Sequence, residues 1–571
     1  MWLLSLLLLS TVVFVAFTYS RKRHNFWTLN GISTPPFIPF LGHAHKLYNK
    51  KQGRWIFENE VYSKFGGCRY AGIYEFLNPI LIVGDPELMK NILVKDFDHF
   101  VNRRKQTVMT NERDSVMNHM LTSKEGDDWK ALRSVMSPTF TSGRMKAMFP
   151  LVCEKANALV SFCRKEISKK PQIDMKYTAG RYTVDTLASC AFGIECNSLI
   201  DDDAAFPKKV SAFFNVPSSK LLLYLFYRLF PRMFSLLKIN LNPPELDFFK
   251  EVVTHTIAER KRKNLRRDDF LDLLLEAEHS ESETKDEQVH QGDEWPDSNN
   301  QLNNEEKEQD DNVANKKDTV TQHQHQQMQK LQEHVQNEST EEKHENVKNA
   351  KKTLKGGLDD NAILAQCLLF LVAGYDTTAS TLAFASFLLA KHPKEQDTLR
   401  QELRELLEEK EGKLTYDTLI DAKFLDSCIM ETLRLYPPGP RLQRMCNKSY
   451  RLPGTEFTIP KGMVVQCQVW SVHHDARYWP DPEKFSPDRF MPENRPNIKS
   501  FTHIPFGMGP RNCIGMRFAL MEVKVALAKL VLAAEMKLAP GSEELILEGG
   551  NSSFLRPKYG VNLILKPLGS E

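Results

Sequence analysis

The sequence predicts a mainly α protein with a small β region, folded as one interrupted domain behind an N-terminal apolar segment. Three observations predict it. Leu/Ala/Glu/Lys-rich runs such as 393–411 and 515–535 carry apolar residues three or four apart, the spacing of one helix face. Strand-like pieces are few, 78–83 and 463–469 being the clearest. No internal repeat occurs, and no Pro/Gly hinge divides two large cores. The 571 residues, 41% apolar and 26% charged, exclude a collagen-like, mucin-like or wholly disordered chain. A net charge of +3 excludes a nucleic-acid-sized basic excess. The 10 cysteines include no CxxC pair, which argues against a zinc ribbon or a thioredoxin-type motif. Reduced thiols in the cytosol are then the default.

Taken in order, residues 1–20 form an uncharged apolar run, about the length that spans a bilayer's hydrocarbon core. A cleaved signal peptide is the rival, disfavoured because no basic segment precedes the run and no small-x-small site follows it. Arg21-Lys22-Arg23 should hold the C-terminal flank in the cytosol, and Trp27 is expected near the interface. Residues 21–44 read as a basic and Pro-rich linker, stiffened by Pro35, Pro36 and Pro39. The main body covers 45–278 and 356–571. Its unusually apolar stretch 213–237 is either buried core or a second surface that dips into a membrane.

An insertion over 279–355 separates the two halves. Between 281 and 350 only nine residues are Val, Leu, Met or Trp, and 18 acids face seven lysines, a net charge of −11. Such a segment buries too little apolar surface to offset its ordering entropy, so it is expected to be disordered. The remainder then carries +14, which suits an anionic membrane surface or an acidic protein partner.

The chemistry centres on Pro505-Phe506-Gly507-Met508-Gly509-Pro510-Arg511-Asn512-Cys513-Ile514-Gly515. Two glycines and a proline force a tight loop, and a helical run begins at Gly515. A cysteine there, facing orphan amides beside an arginine, has a stabilised thiolate. A thiolate held rigidly in a loop can ligate haem iron. The spacing F-x-x-G-x-R-x-C-x-G, filled by Phe506, Gly509, Arg511, Cys513 and Gly515, resembles the haem-binding loop of the cytochrome P-450 family. Glu431-Thr432-Leu433-Arg434 resembles the family's E-x-x-R pair, and Pro487-Asp488-Arg489-Phe490 its later P-x-R-F element. Trp129-Lys130-Ala131-Leu132-Arg133 resembles its W-x-x-x-R helix. Within the family, Ser137–Gly143 and Ala373-Gly374-Tyr375-Asp376-Thr377-Thr378 are most similar to the animal microsomal group that oxidises xenobiotics. The acidic insertion departs from the family pattern, in which that connection is shorter.

The resemblance implies the cytochrome P-450 fold and a haem b ligated axially by Cys513. It implies that Trp129, Arg133, Arg444, Arg511 and, more weakly, Arg103 meet the propionates, and that Phe506, Gly509 and Gly515 line the haem. Glu431, Arg434 and Arg489 would form a buried structural network. Asp376 and Thr377 would deliver protons for dioxygen activation, with Gly374 leaving room for dioxygen. The implied function is a membrane-bound haem-thiolate monooxygenase on the cytosolic face of the endoplasmic reticulum. It would insert one atom of dioxygen into a lipophilic small molecule. Its implied partners are an NADPH-cytochrome P-450 reductase, cytochrome b5 as an additional candidate, and membrane lipid, with no nucleic acid. An isomerase-type member that rearranges a peroxide, and a non-catalytic haem-binding sensor, are the alternatives. Retention of Asp376-Thr377 disfavours both.

Overall fold

The computed structural model describes residues 2–49, 52–104, 116–201, 205–214, 233, 245–264, 266–267, 269–276, 359–549 and 554–568. The whole 281–350 stretch and most of 213–237 fall outside these residues, so the expectations for both lie beyond the described structure.

Helices of eleven residues or more dominate the described chain: α1 (Trp2–His24), α2 (Arg54–Lys64), α3 (Gly126–Met136), α4 (Ser142–Ile167), α5 (Met175–Leu187), α6 (Glu245–Lys263), α7 (Asp360–Lys391), α8 (Pro393–Glu409), α9 (Lys423–Leu435) and α10 (Met516–Ala533). The strands are short: β1 (Tyr70–Glu75), β2 (Asn78–Val83), β3 (Ile173–Asp174), β4 (Arg441–Met445), β5 (Tyr450–Arg451), β6 (Thr458–Ile459), β7 (Val464–Gln468), β8 (Ala534–Leu538) and β9 (Asn562–Pro567). The mainly α expectation with a small β region therefore holds.

The main sheet has the order β1-β2-β7-β4. β1 and β2 form a hairpin, β2 runs parallel to β7 with Ile80 opposite Val464, and β4 is antiparallel to β7 with Arg444 opposite Val465. β4 pairs only with β7 in this sheet, and Met445 N donates to Asn102 O at 2.8 Å, which sets Arg444 beside the segment that carries Arg103.

α7 is the central element. The Asp359 side chain caps it by accepting from the Ala362 amide at 2.7 Å. It stops at His392, ahead of Pro393, because a residue before proline is pushed out of helical geometry. By length and composition α7 can cross a bilayer, but 61% of its apolar window is buried inside the protein. It is a core helix. α10 ends sooner than its periodicity predicts. At Ala534 the chain turns extended and pairs with Pro567, so strand pairing overrides helical spacing over the last two expected residues.

The expected linker is not a free connection. Trp27 is fully buried, its indole Nε1 donates to the Ile73 carbonyl at 3.0 Å, and its ring lies where a side chain on Gly72 would stand. It is a core residue of the β1 region, not an interfacial anchor. Ile32, His43 and Ala44 are buried beside it. Upstream, Trp2, Leu6, Leu7, Phe14, Val15, Phe17 and Tyr19 of α1 are exposed, whereas Ser20 and His24 in its last turns are buried against the body.

Candidate functional site

The cysteine loop is built by its own backbone. Gly507 donates to Ile504 O at 3.0 Å, Asn512 to Gly509 O at 3.0 Å, and Cys513 to Phe506 O at 2.9 Å. Gly509 has φ +75°, and a Cβ there would stand 1.9 Å from the Leu93 carbonyl oxygen, so only glycine fits. Gly515 has an ordinary φ of −88°, and a Cβ there would make only an ordinary contact with Phe140. Protein packing alone does not require that glycine.

Cys513 is the exposed member among the free cysteines. Yet burial raises its thiol above the usual range, while the Gly515 backbone, Arg133 and Arg103 pull it back. A sulfur that is both accessible and desolvated faces a space enclosed by protein. Ala373 is likewise exposed, in the middle of core helix α7. Phe370 of α7 packs 5.6 Å from Phe518, five residues beyond the cysteine, so this helix approaches the loop.

Four guanidinium groups surround the loop. Arg133 grips Asn512 twice, through its carbonyl at 2.9 Å and its side-chain oxygen at 2.8 Å. Arg103 donates to Arg511 O at 3.1 Å, and Arg511 donates to Lys124 O at 2.7 Å and stacks over Trp129 at 4.3 Å. Arg444 makes one bond, to Gln443 O at 3.0 Å. Burial, then mutual repulsion, lowers Arg444 and Arg511 to about 9, and burial lowers Arg133 to about 10. The buried Nε atoms of Arg444 and Arg511 have no partner. Among the described residues, no carboxylate lies within ion-pair distance of any of the four. A buried cation cluster without a counter-ion is costly alone and complementary to a group bearing two carboxylates. Haem fits this site: an accessible sulfur for the metal and unpaired guanidiniums for its propionates.

The Glu431–Arg434 pair has its charges matched within the fold, although the Nε of nearby Arg489 makes no hydrogen bond. Arg434 meets Glu431 at 2.7 and 2.9 Å and His473 O at 2.8 Å, Ser486 N donates to Glu431 at 3.0 Å, and Arg489 stands 3.4 Å away.

The 373–378 segment differs from expectation in two respects. A Cβ on Gly374 would meet Leu187 of α5 at 2.8 Å. The glycine therefore permits close packing of two helices and does not open room for dioxygen; the accessible position is Ala373. Thr377 donates to Ala373 O at 2.7 Å, and Thr381 to Thr377 O at 2.8 Å, both back to their own helix. Asp376 is buried between two cations, Lys176 at 2.9 Å and Arg556 at 2.6 Å. Sequence reasoning missed Lys176, Arg556, Asn512 and Lys124, because partners so distant in sequence leave no local spacing to read.

A family model described as Cytochrome P450 matches residues 32–294 and 300–565. The chain is 34% identical to cytochrome P450 9e2 of Blattella germanica, over 93% of this chain and 91% of that one. It is 33% identical to cytochrome P450 3A41 of Mus musculus, over 98% and 96%. Cytochrome P450 3A6 of Oryctolagus cuniculus is 31% identical, over 97% and 95%.

Proposed function

This chain belongs to the cytochrome P450 family and is a haem-thiolate monooxygenase, and from that premise we propose that Cys513 is its thiolate ligand and that it oxidises lipophilic small molecules at the endoplasmic reticulum membrane, with NADPH electrons supplied through a reductase. The observation that carries the site assignment is the accessible Cys513 sulfur ringed by four guanidiniums that have no carboxylate partner among the described residues.

Haem, when bound, supplies the redox chemistry that activates dioxygen, and a thiolate ligand favours O–O cleavage. The chain's residues do the rest. Arg103, Arg133 and the Gly515 backbone favour the deprotonated Cys513 sulfur against the burial that opposes it. Arg444 and Arg511, with Trp129 stacked beneath Arg511, hold the propionates. Thr377 releases the Ala373 carbonyl by a side-chain rotation and turns its hydroxyl into the interior space. Asp376 relays a proton taken up from water towards that hydroxyl when one of its two ion pairs opens. The exposed apolar residues of α1, followed by Arg21, Lys22 and Arg23, support membrane anchoring with the body on the cytosolic side.

The test is twofold. The reduced protein with carbon monoxide should give a thiolate-type difference spectrum. Thr377→Ala should keep haem and NADPH consumption while product per NADPH falls severalfold and hydrogen peroxide rises. Unchanged coupling would remove Thr377 from the proposal and leave Cys513 standing.

A further inference from the structure

Gln366 lies on α7 with no exposed surface, and its amide is fully used. Its oxygen accepts from the Leu121 amide at 2.9 Å, and its nitrogen donates to His119 O at 2.7 Å and to Ala362 O at 3.0 Å. Only this orientation of the amide satisfies all three contacts. The first two partners are backbone groups of a segment some 245 residues away. Met120 and Leu121 of that segment are themselves buried. Without Gln366, the Leu121 N–H and the His119 carbonyl would lose their side-chain partner inside the protein, so the segment would have to shift.

The segment leads directly to the guanidinium cluster: three residues after Leu121, Lys124 O accepts from Arg511. It is tied at one end to the cysteine loop and at the other to α7. At 100° per residue, Gln366, Phe370, Ala373 and Thr377 share one helix face within an arc of about 60°. Gln366 stands about 10 Å along the axis from Ala373, the accessible residue of that face. Among the described residues, no other side chain of α7 hydrogen-bonds to this segment.

We infer that Gln366 is a positioning residue that fixes segment 119–121 as a wall of the space into which substrate enters. The bulk of ligand that the site accepts is then set partly by an amide that never touches the ligand. The inference rests on the monooxygenase reading for the identity of that space.

The experiment uses the full-length, haem-loaded protein. Gln366→Met keeps length and loses every polar contact; Gln366→Glu, when protonated, keeps one acceptor and one donor. Two readouts are taken: hydrogen exchange of the Leu121 amide, and spectral affinities for imidazole and for the bulkier 4-phenylimidazole. Gln366→Met should retain haem, exchange Leu121 about tenfold faster, and change the ratio of the two affinities at least threefold, with Gln366→Glu between it and the parent. Unchanged exchange, faster exchange with an unchanged ratio, or loss of haem from both variants would each overturn the inference. Failure of the underlying reading would look different. The parent protein would then give no spectral response to either imidazole, while amide exchange would still be readable.

Discussion

Two buried clusters of arginine stand at similar depth and are built on opposite principles. Glu431 and Arg434 have no exposed side-chain surface, and their charges are cancelled by a two-point ion pair, a backbone carbonyl and a backbone amide. Arg444 is just as deep, at 2% exposure, but has one hydrogen bond, an unpartnered Nε and a guanidinium neighbour in place of an acid. A buried charge is tolerated when its partners travel with the fold, as around Glu431. Where they are missing, the fold carries a cost that only a bound anion removes. The first cluster reads as architecture and the second as an anion-binding site.

The largest effect should come from Cys513→Ser. A neutral hydroxyl is a poor axial donor, so the thiolate spectrum and turnover should disappear while the Glu431 cluster and the fold persist by circular dichroism. Next, Glu431→Ala leaves Arg434 charged, buried and unpaired. Denaturant titration should show a loss of about 3–5 kcal/mol, with or without haem. Arg444→Met separates the clusters by sign. The haem-free chain should be as stable as the parent or more so, since an uncompensated charge has gone, while haem retention weakens about 10- to 100-fold. A haem-free Arg444→Met chain as damaged as Glu431→Ala would erase the distinction.

The smallest effect is a pH dependence at the edge of the first cluster. His473 accepts from the Ile504 amide at 2.9 Å, contacts Arg434 O at 3.2 Å, and stacks on His503. Burial, His503, His474 and Arg434 depress His473 far below its ordinary value, and burial takes His503 to about 3. The folded form therefore holds these rings neutral while the unfolded chain protonates near 6.5. Their contribution to stability is complete above about pH 6.5 and falls as pH drops below it, by about 1.4 kcal/mol per pH unit for His473. Thermal denaturation between pH 7 and 5 should show the summed slope, and His473→Gln should reduce it, with His503, His43 and His474 supplying the remainder.

The same contrast marks what could be read in advance. The F-x-x-G-x-R-x-C-x-G spacing located the loop, since glycine geometry and a thiolate at a helix start are local facts. The E-x-x-R spacing located the Glu431 pair for the same reason, three residues being one helix turn. Trp27 was misread because an indole after a basic run has two homes, and only the β1 strand with its Gly72 decides for the core. Gly374 was misread because its neighbour Leu187 lies on another helix.

The sequence by itself determined the helical class, the cysteine loop and the Glu431–Arg434 pair. Each depends on periodicity or on spacings within a few residues. Tertiary structure alone decided that the four guanidiniums find no counter-ion among the described residues, that Asp376 sits between Lys176 and Arg556, and that Gln366 holds a segment 245 residues away. Those outcomes depend on which groups share desolvated space, and chain order does not encode desolvation.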